Sequence, residues 1–482
     1  MSTEAQDPSV AAGIPLCVDL DGTLLRTDTL FEAVLLLARR NLWHALQTCA
    51  TIFRGRAAFK SEVARRVELD VARLPANEEL LHWLRAEKQR GRCVVLCTAA
   101  PEPYARAVAN HYGLFDEIQC SDSTRNLSGR NKGERLAARF GERRFDYAGN
   151  SARDLPVWQR ARAAIVVTPT VPLSMQLSRV PRVTKIFARS DGRVVMWLRT
   201  LRPHQWAKNA LVFVPALAAH RIGEPPVLAA SVLAFVAFCL AASGTYIVND
   251  LFDLDSDRTH PKKRERPIAS GRLQITEGLT AAIVLTGSSL LICYLALGQL
   301  FFLVQLGYVV VTLWYSLNLK RRAGADILCL AGLYTLRILA GSAATHIEPS
   351  FWLLAFSMFL FLSLAAAKRS TELAELESRS QSRAPGRGYV IGDLPLLLAF
   401  GVAAAYSSVL VLALYVFSRA ETQYSHPKVL WLLCPVLLYW VSRVWLKTHR
   451  RQLNEDPVVF ALTDGPSRFV AVACIVIYWL AT

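Results

Sequence analysis

The sequence predicts a soluble α/β domain followed by an all-α, polytopic membrane domain of about nine transmembrane helices. Three observations carry that reading. A short apolar run, Ile14–Val18, ends in Asp19-Leu20-Asp21-Gly22-Thr23, the pattern of a strand that delivers two carboxylates to a turn. The long apolar runs are confined to residues 209–482, whereas residues 1–195 have ordinary mixed composition. Basic residues gather in alternate short loops between the apolar runs.

Composition fits this division. With 53% hydrophobic and 19% charged residues among 482, the chain is too apolar for one soluble globule and too charged for a bare membrane bundle. Its length accommodates two or three domains. The net charge of +17 lies in short loops beside apolar runs, so a membrane is expected as partner and nucleic acid is not. Ten cysteines are scattered from Cys17 to Cys474 without a CxxC pair. They read as reduced, buried thiols, with neither a zinc site nor a disulfide framework. Residues 1–13 read as a flexible N-terminus lacking the basic start and apolar core of a signal peptide. Residues 171–198, with prolines and basic residues, read as a linker.

A membrane-spanning helix needs about 20 mostly apolar residues. Nine stretches qualify: 207–222, 227–248, 277–297, 299–317, 326–345, 351–367, 393–417, 428–446 and 466–481. Pro215 and His220 interrupt the first. The loop after the second holds Arg258, Lys262, Lys263, Arg264, Arg266 and Arg272. The loop after the fourth holds Lys320, Arg321 and Arg322. Lys368, Arg369, Arg379, Arg383 and Arg387 follow the sixth, and Lys447, Arg450 and Arg451 the eighth. Positive loops stay inside. These loops and the soluble domain are therefore expected on the cytoplasmic side of an inner or plasma membrane, and the C-terminus outside.

In the soluble domain, Asp19 and Asp21 stand at i and i+2 at a strand end and point into one pocket when the chain turns at Gly22. Such a pair divides labour: one carboxylate attacks phosphorus, the other handles the leaving group's proton. Both repel a phosphate unless a cation and other positive groups intervene. A second strand, Val94–Cys97, ends in Thr98; Lys132 opens a helical segment; a third strand, Phe145–Ala148, leads to Gly149-Asn150-Ser151 and Asp154. This ordered set resembles the haloacid dehalogenase (HAD) superfamily of phosphatases over residues 14–170. The resemblance implies a Rossmann-like sheet, with Asp19 as nucleophile and Asp21 as general acid/base. Thr98 and Lys132 would hold the phosphoryl oxygens, and Asp19, Asp21, Asn150 and Asp154 would surround Mg²⁺. Asn150 stands where the family usually has Asp, and its uncharged oxygen implies weaker metal binding. Residues 30–88 fall where the family places a helical cap. Within them, 30–53 is apolar but periodic and carries two arginines and a histidine, which reads as an amphipathic cap helix suited to a membrane surface.

In the membrane domain the informative stretch is Ser243–Leu273. Asn249, Asp250, Asp253 and Asp257 are spaced 1, 3 and 4 apart, which places them on one helical face. Stacked carboxylates call for divalent cations, and oxygen-only ligands suit Mg²⁺. Lys262, Arg264 and Arg266 then complete a receptor for a diphosphate-bearing substrate. The NDxxDxxxD pattern after a span is similar to the UbiA superfamily of intramembrane transferases over residues 199–482. That family usually joins a polyprenyl chain from a diphosphate to an aromatic acceptor, using a second DxxxD motif. Here Asp326 stands with Leu330 four residues on, one acid where two are usual. RPHQWAKN (Arg202–Asn209), YSLNLKRRAGAD (Tyr315–Asp326) and LRILAG (Leu336–Gly341) most resemble the decaprenyl-phosphate phosphoribosyltransferase branch. That branch implies transfer of 5-phosphoribosyl from phosphoribosyl pyrophosphate (PRPP) to a polyprenyl phosphate. Lys208, Asn249, Tyr315, Lys320, Asp326 and Arg337 would serve as substrate contacts. The adjacent phosphatase would dephosphorylate the product to polyprenyl-phosphoryl ribose, a pentose donor for the cell envelope.

Overall fold

A computed structural model describes residues 13–122, 126–168, 173, 176–188, 192–378, 387–419, 424–453 and 457–482. The chain forms two compact units. One comprises residues up to Thr200 together with Asp250–Thr280; the other comprises Leu201–Asn249 and Ala281–Thr482. Residues 1–12, Arg379, Arg383 and part of the expected linker lie outside the described residues.

The first unit is built on a six-stranded sheet: β1 (Leu16–Val18), β2 (Val94–Pro101), β3 (Glu117–Ser121), β4 (Asp146–Gly149), β5 (Ala163–Val167) and β6 (Val183–Phe187), in the order β3-β2-β1-β4-β5-β6. Every pairing is parallel, so the connections must cross over. Helices Glu102–Tyr112, Arg130–Phe140 and Leu155–Arg160 make three of those crossovers. The strands alternate between two apolar cores. Leu16, Val18, Val94, Leu96, Ile165 and Val167 face one; Cys17, Val95, Cys97, Tyr147, Ala164 and Val166 face the other. Burial on both faces explains why these strands read as continuous apolar runs. Strand order reverses between β1 and β4, which opens a crevice at the C-terminal strand ends.

The cap region after β1 is helical as expected, with helices Thr29–Arg40, Leu42–Ala50, Arg56–Arg66 and Glu78–Gln89. Asp28 and Asn41 start the first two by accepting hydrogen bonds from Leu30 and Phe31 and from Trp43 and His44. The stretch read as a linker is partly structural, because β6 and the start of helix Arg193–Leu201 come from it.

The second unit is helical. Among the described residues six helical runs are long and apolar enough to cross a membrane: Pro225–Phe252, Ile275–Arg321, Ala325–Thr345, Phe351–Glu377, Ile391–Ser418 and Pro427–His449. The chain is an integral membrane protein, and these six runs among the described residues do not confirm the expected count of nine spans. The stretch 207–222 forms 3₁₀ turns over Pro203–Phe213 and a short helix, Val214–Ala218. Proline at the start of each supplies no backbone N–H to continue a preceding helix. The expected pair 277–297 and 299–317 appears as two helices, Ile275–Ile292 and Gly298–Leu317, joined through a π-turn, Cys293–Leu297, and Gly298 (φ +83°). The last apolar helix, Gly465–Ala481, has only 17 residues. All ten cysteines are free, and five of them are only partly buried.

Candidate functional site

The strongest cluster in the first unit lies where β1 and β4 end. The Asp19 backbone N–H donates to the Ala148 carbonyl at 3.0 Å, fastening the two strand ends together. Lys132, in the first turn of helix Arg130–Phe140, donates from Nζ to Asp19 Oδ1 at 2.7 Å and to the Tyr147 hydroxyl at 2.9 Å. Tyr147 in turn donates to Asp154 Oδ1 at 2.9 Å. Asp154 Oδ2 accepts from the backbone N–H of Asn150 and of Ser151 and from the Ser151 hydroxyl. All four members of the Asp19–Lys132–Tyr147–Asp154 chain are buried. Gly22 adopts φ +75°, and a Cβ there would stand 2.2 Å from Asn150 Nδ2, so only glycine makes this turn. Thr98 is buried on β2, its hydroxyl accepting from the Ala100 N–H at 2.9 Å. Asp21 Oδ1 accepts from the Thr29 N–H at 2.8 Å.

Burial dominates the electrostatics. It pushes the Asp19 carboxyl up to about 6 against the opposing charge of Lys132. It pushes Asp21 up to about 8, with the Asp28 charge adding to the rise. Burial alone would lower the Lys132 ammonium, but Asp19 and Asp154 more than offset it and hold the ammonium above its ordinary value. Asp19, Asp21 and Asn150 offer oxygen donors, a chemistry that suits Mg²⁺. Asp154 has both oxygens engaged in hydrogen bonds, so in this arrangement it braces the Asn150 loop.

Sequence reasoning missed Tyr147 and Lys60. Tyr147 looked like one more apolar strand residue; its hydroxyl became significant only when β4 placed it between Lys132 and Asp154. Lys60 comes from the cap helix Arg56–Arg66 and donates to the Ala99 carbonyl at 2.7 Å and to Asn126 Oδ1 at 2.9 Å. A lone cap lysine in an amphipathic helix carries no local signal.

The Asp-rich segment corrects one expectation. Its four residues do not share a continuous helix. Helix Pro225–Phe252 carries Asn249 and Asp250 and then stops; Asp253 (φ −95°, ψ 5°) stands at the N-cap position of a second helix, Leu254–Thr259, which carries Asp257. The sequence DLDSD is rich in side chains that favour helix ends over helix interiors. Two of the carboxylates nevertheless converge. Arg266 Nη1 lies 3.0 Å from Asp250 Oδ1 and 2.6 Å from Asp257 Oδ2, and both acids are buried. Burial pushes the Asp257 carboxyl up to about 6 despite Arg266. A guanidinium thus stands between two carboxylates, where a divalent cation would also be favoured, and the oxygen-only donor set fits Mg²⁺. Among the described residues no group of three or more His, Cys, Asp or Glu is already gathered as a metal cluster. Lys262 and Arg264 are exposed on the same loop. Arg258, by contrast, is held by Glu32 at 2.5 Å, and Asp255 by Arg73 at 2.9 Å.

In the second unit the expected contacts fall into three groups. Lys320 donates to Asn249 Oδ1 at 3.5 Å. Tyr315 donates to Asp326 Oδ1 at 2.7 Å, and Arg369 pairs with both oxygens of Asp326, which is fully buried. Arg387 donates to the Tyr315 hydroxyl at 3.0 Å, and Glu372 pairs with Arg369. Arg337 donates to Asn209 Oδ1 at 2.9 Å, to the Leu333 carbonyl at 2.6 Å and to the Tyr308 hydroxyl at 3.1 Å. A Cβ on Gly341, one turn beyond Arg337, would stand 2.0 Å from the Val212 carbonyl. This glycine lets the Pro203–Phe213 segment approach closely enough to set Asn209 beside Arg337. Lys208 and Arg337 share the face of Tyr334, at 5.8 and 5.5 Å from the ring centre.

Comparison with known proteins fits this division. The model of the UbiA prenyltransferase family matches residues 210–474, and that of haloacid dehalogenase-like hydrolases matches residues 16–159. An uncharacterized protein, y4nM, of Sinorhizobium fredii is 36% identical over 460 residues, covering 95% of this chain and 89% of that one. Nodulation protein NoeC of Azorhizobium caulinodans is 38% identical over 267 residues, 55% of this chain and 86% of that one. Decaprenyl-phosphate phosphoribosyltransferase of Mycobacterium tuberculosis is 39% identical over 180 residues, which is 36% of this chain and 59% of that protein's length.

Proposed function

The chain belongs to the UbiA prenyltransferase family and carries a haloacid dehalogenase-like hydrolase domain at its N-terminus, and on that premise we propose that it transfers 5-phosphoribosyl from PRPP to a polyprenyl phosphate and then dephosphorylates the product. The observation that carries this reading is the state of Asp326. Its two oxygens are taken by Arg369 and Tyr315, which leaves the Asp250–Asp257 segment as the acidic centre. One acidic segment, in a chain that also buries Lys208, Lys320 and Arg337, suits one diphosphate leaving group and one monophosphate acceptor better than two metal-bound diphosphate contacts. The similarity to a decaprenyl-phosphate phosphoribosyltransferase supports the same choice.

In this reading residues 199–482 are the transferase domain. Asn249, Asp250, Asp253 and Asp257 hold Mg²⁺, which when bound neutralises the charge of a departing diphosphate. Lys262, Arg264 and Arg266 contact the diphosphate oxygens. Lys208, Lys320 and Arg337 hold the lipid phosphate. One of that phosphate's oxygens bonds to ribose C1 while the C1–O bond to diphosphate breaks, and pyrophosphate leaves with the electron pair. Residues 14–170 are the phosphatase domain. Asp19 attacks the phosphorus of the ribose 5-phosphate, and Asp21 gives its proton to the departing 5-oxygen. Water, deprotonated by Asp21, then releases phosphate from Asp19, with Lys132 and Thr98 holding the phosphoryl oxygens. Fusion raises the effective concentration of phosphatase near its substrate. The basic loops support a cytoplasmic position for both centres.

The test is incubation of purified protein with Mg²⁺, polyprenyl phosphate and ribose-labelled PRPP. Label in the lipid extract supports the assignment. Label confined to the aqueous phase, with turnover of a polyprenyl diphosphate and a phenolic acceptor, replaces it with prenyl transfer.

A further inference from the structure

The cap of the first unit ends in an apolar tip. Trp43 and Leu46 stand three residues apart on helix Leu42–Ala50, 66% and 56% exposed. Ile52 and Phe53 follow in the 3₁₀ turn Thr51–Arg54, 49% and 92% exposed. The same helix buries Ala45 and Thr48, so its other face already belongs to the domain. The chain then turns at Gly55 (φ +110°), whose backbone N–H donates to the Ile52 carbonyl at 3.0 Å. Large exposed side chains grouped at one projection mark an interaction surface.

Charge identifies the occupant. From Ala33 to Ser61 the sequence holds Arg39, Arg40, Arg54, Arg56 and Lys60 and no acid. Arg40, Arg54 and Arg56 are exposed beside the apolar tip. Trp, Phe, Leu and Ile flanked by arginine form the composition that settles at a bilayer interface, with rings at headgroup depth and guanidinium groups on anionic phosphates. Six membrane-spanning runs in the same chain keep a bilayer permanently available.

We propose that the cap tip formed by Trp43, Leu46, Ile52 and Phe53, with Arg40, Arg54 and Arg56, docks into the headgroup region of an anionic bilayer. Docking confines the phosphatase to the surface that carries lipid-linked substrates. The inference concerns the cap alone and stands whether or not the transfer reaction is the one assigned above.

The experiment uses the full chain, labelled with 5-fluorotryptophan and reconstituted in bilayers of phosphatidylcholine with phosphatidylglycerol. The fluorine resonance missing from Trp43→Phe is that of Trp43. Spin-labelled lipid is expected to broaden this resonance severely, more so in mixed bilayers than in phosphatidylcholine alone. Phe53→Glu combined with Ile52→Glu should reduce the broadening at least twofold while the other tryptophan resonances keep their positions. A Trp43 signal untouched by spin-labelled lipid overturns the proposal. Sensitivity to a water-soluble relaxation agent would then indicate a free surface, and protection from both agents a protein contact such as a second copy. Broadening unchanged in the double variant overturns it equally.

Discussion

One nitrogen of Arg266 lies 2.6 Å from the Asp257 carboxylate and also reaches Asp250, at 3.0 Å. Two buried acids, seven residues apart on separate helices, are held together by a single guanidinium. This arrangement makes Arg266 a stabiliser of the metal-free site. Arg266→Met should destabilise the metal-free protein by on the order of 2 kcal/mol, because it removes the cation that Asp250 and Asp257 share. Added Mg²⁺ should recover more stability in the variant than in the parent. Thermal unfolding with and without Mg²⁺ checks this, and equal Mg²⁺ shifts would argue against a shared cation position.

Asp250→Ala and Asp253→Ala should each lower transfer at least about a hundredfold, since each removes an oxygen donor for the leaving diphosphate. Hydrolysis of a soluble phosphomonoester by the same preparations should persist, which shows that the N-terminal domain remains folded. Retained transfer in both variants would remove the Asp segment from the site.

Asp326 is fully buried and paired with Arg369, which is itself buried. Removing either partner alone strands a charge in the helical unit and should cost about 3–5 kcal/mol. Asp326→Asn combined with Arg369→Met should cost less than the two single changes added together. An additive result in denaturation of the reconstituted protein would show that the pair is not coupled.

The N-terminal carboxylates give a pH prediction. Burial raises Asp19 from 3.8 to about 6 and Asp21 from 3.8 to about 8. A carboxyl whose folded value is raised contributes stability below its unfolded value and loses it as pH rises through the folded one. The metal-free domain should therefore weaken progressively between about pH 4 and pH 8. Mg²⁺ neutralises the ionised pair, so its stabilising effect should grow over the same range. Calorimetry of the parent and of Asp21→Asn checks this; the variant should show the flatter pH dependence.

Local features of the site were legible in the sequence and long-range ones were not. Asp19, Asp21 and the Gly22 turn were readable because strand, acid pair and turn occupy one short stretch. Lys132 was readable as a helix-opening cation, although its link to Asp154 through Tyr147 required the sheet. The continuous acidic face failed at Asp253, where the backbone leaves the helix for a single residue before a second helix begins. Arg337 was visible as a costly cation in an apolar run, but its partner Asn209 lies 128 residues away. Asp326 was visible as a lone acid, while Arg369, 43 residues on, makes it an ion-pair member. The first expected span differs because Pro203 and Pro215 break an apolar run into short elements.

The central claim is tested most directly by mass analysis of the lipid formed from PRPP and polyprenyl phosphate by the parent protein and by Asp19→Asn. The account predicts polyprenyl-phosphoryl ribose from the parent and the same lipid retaining its 5-phosphate from the variant. The absence of any pentose-bearing lipid from both, with folded protein and Mg²⁺ present, would contradict it.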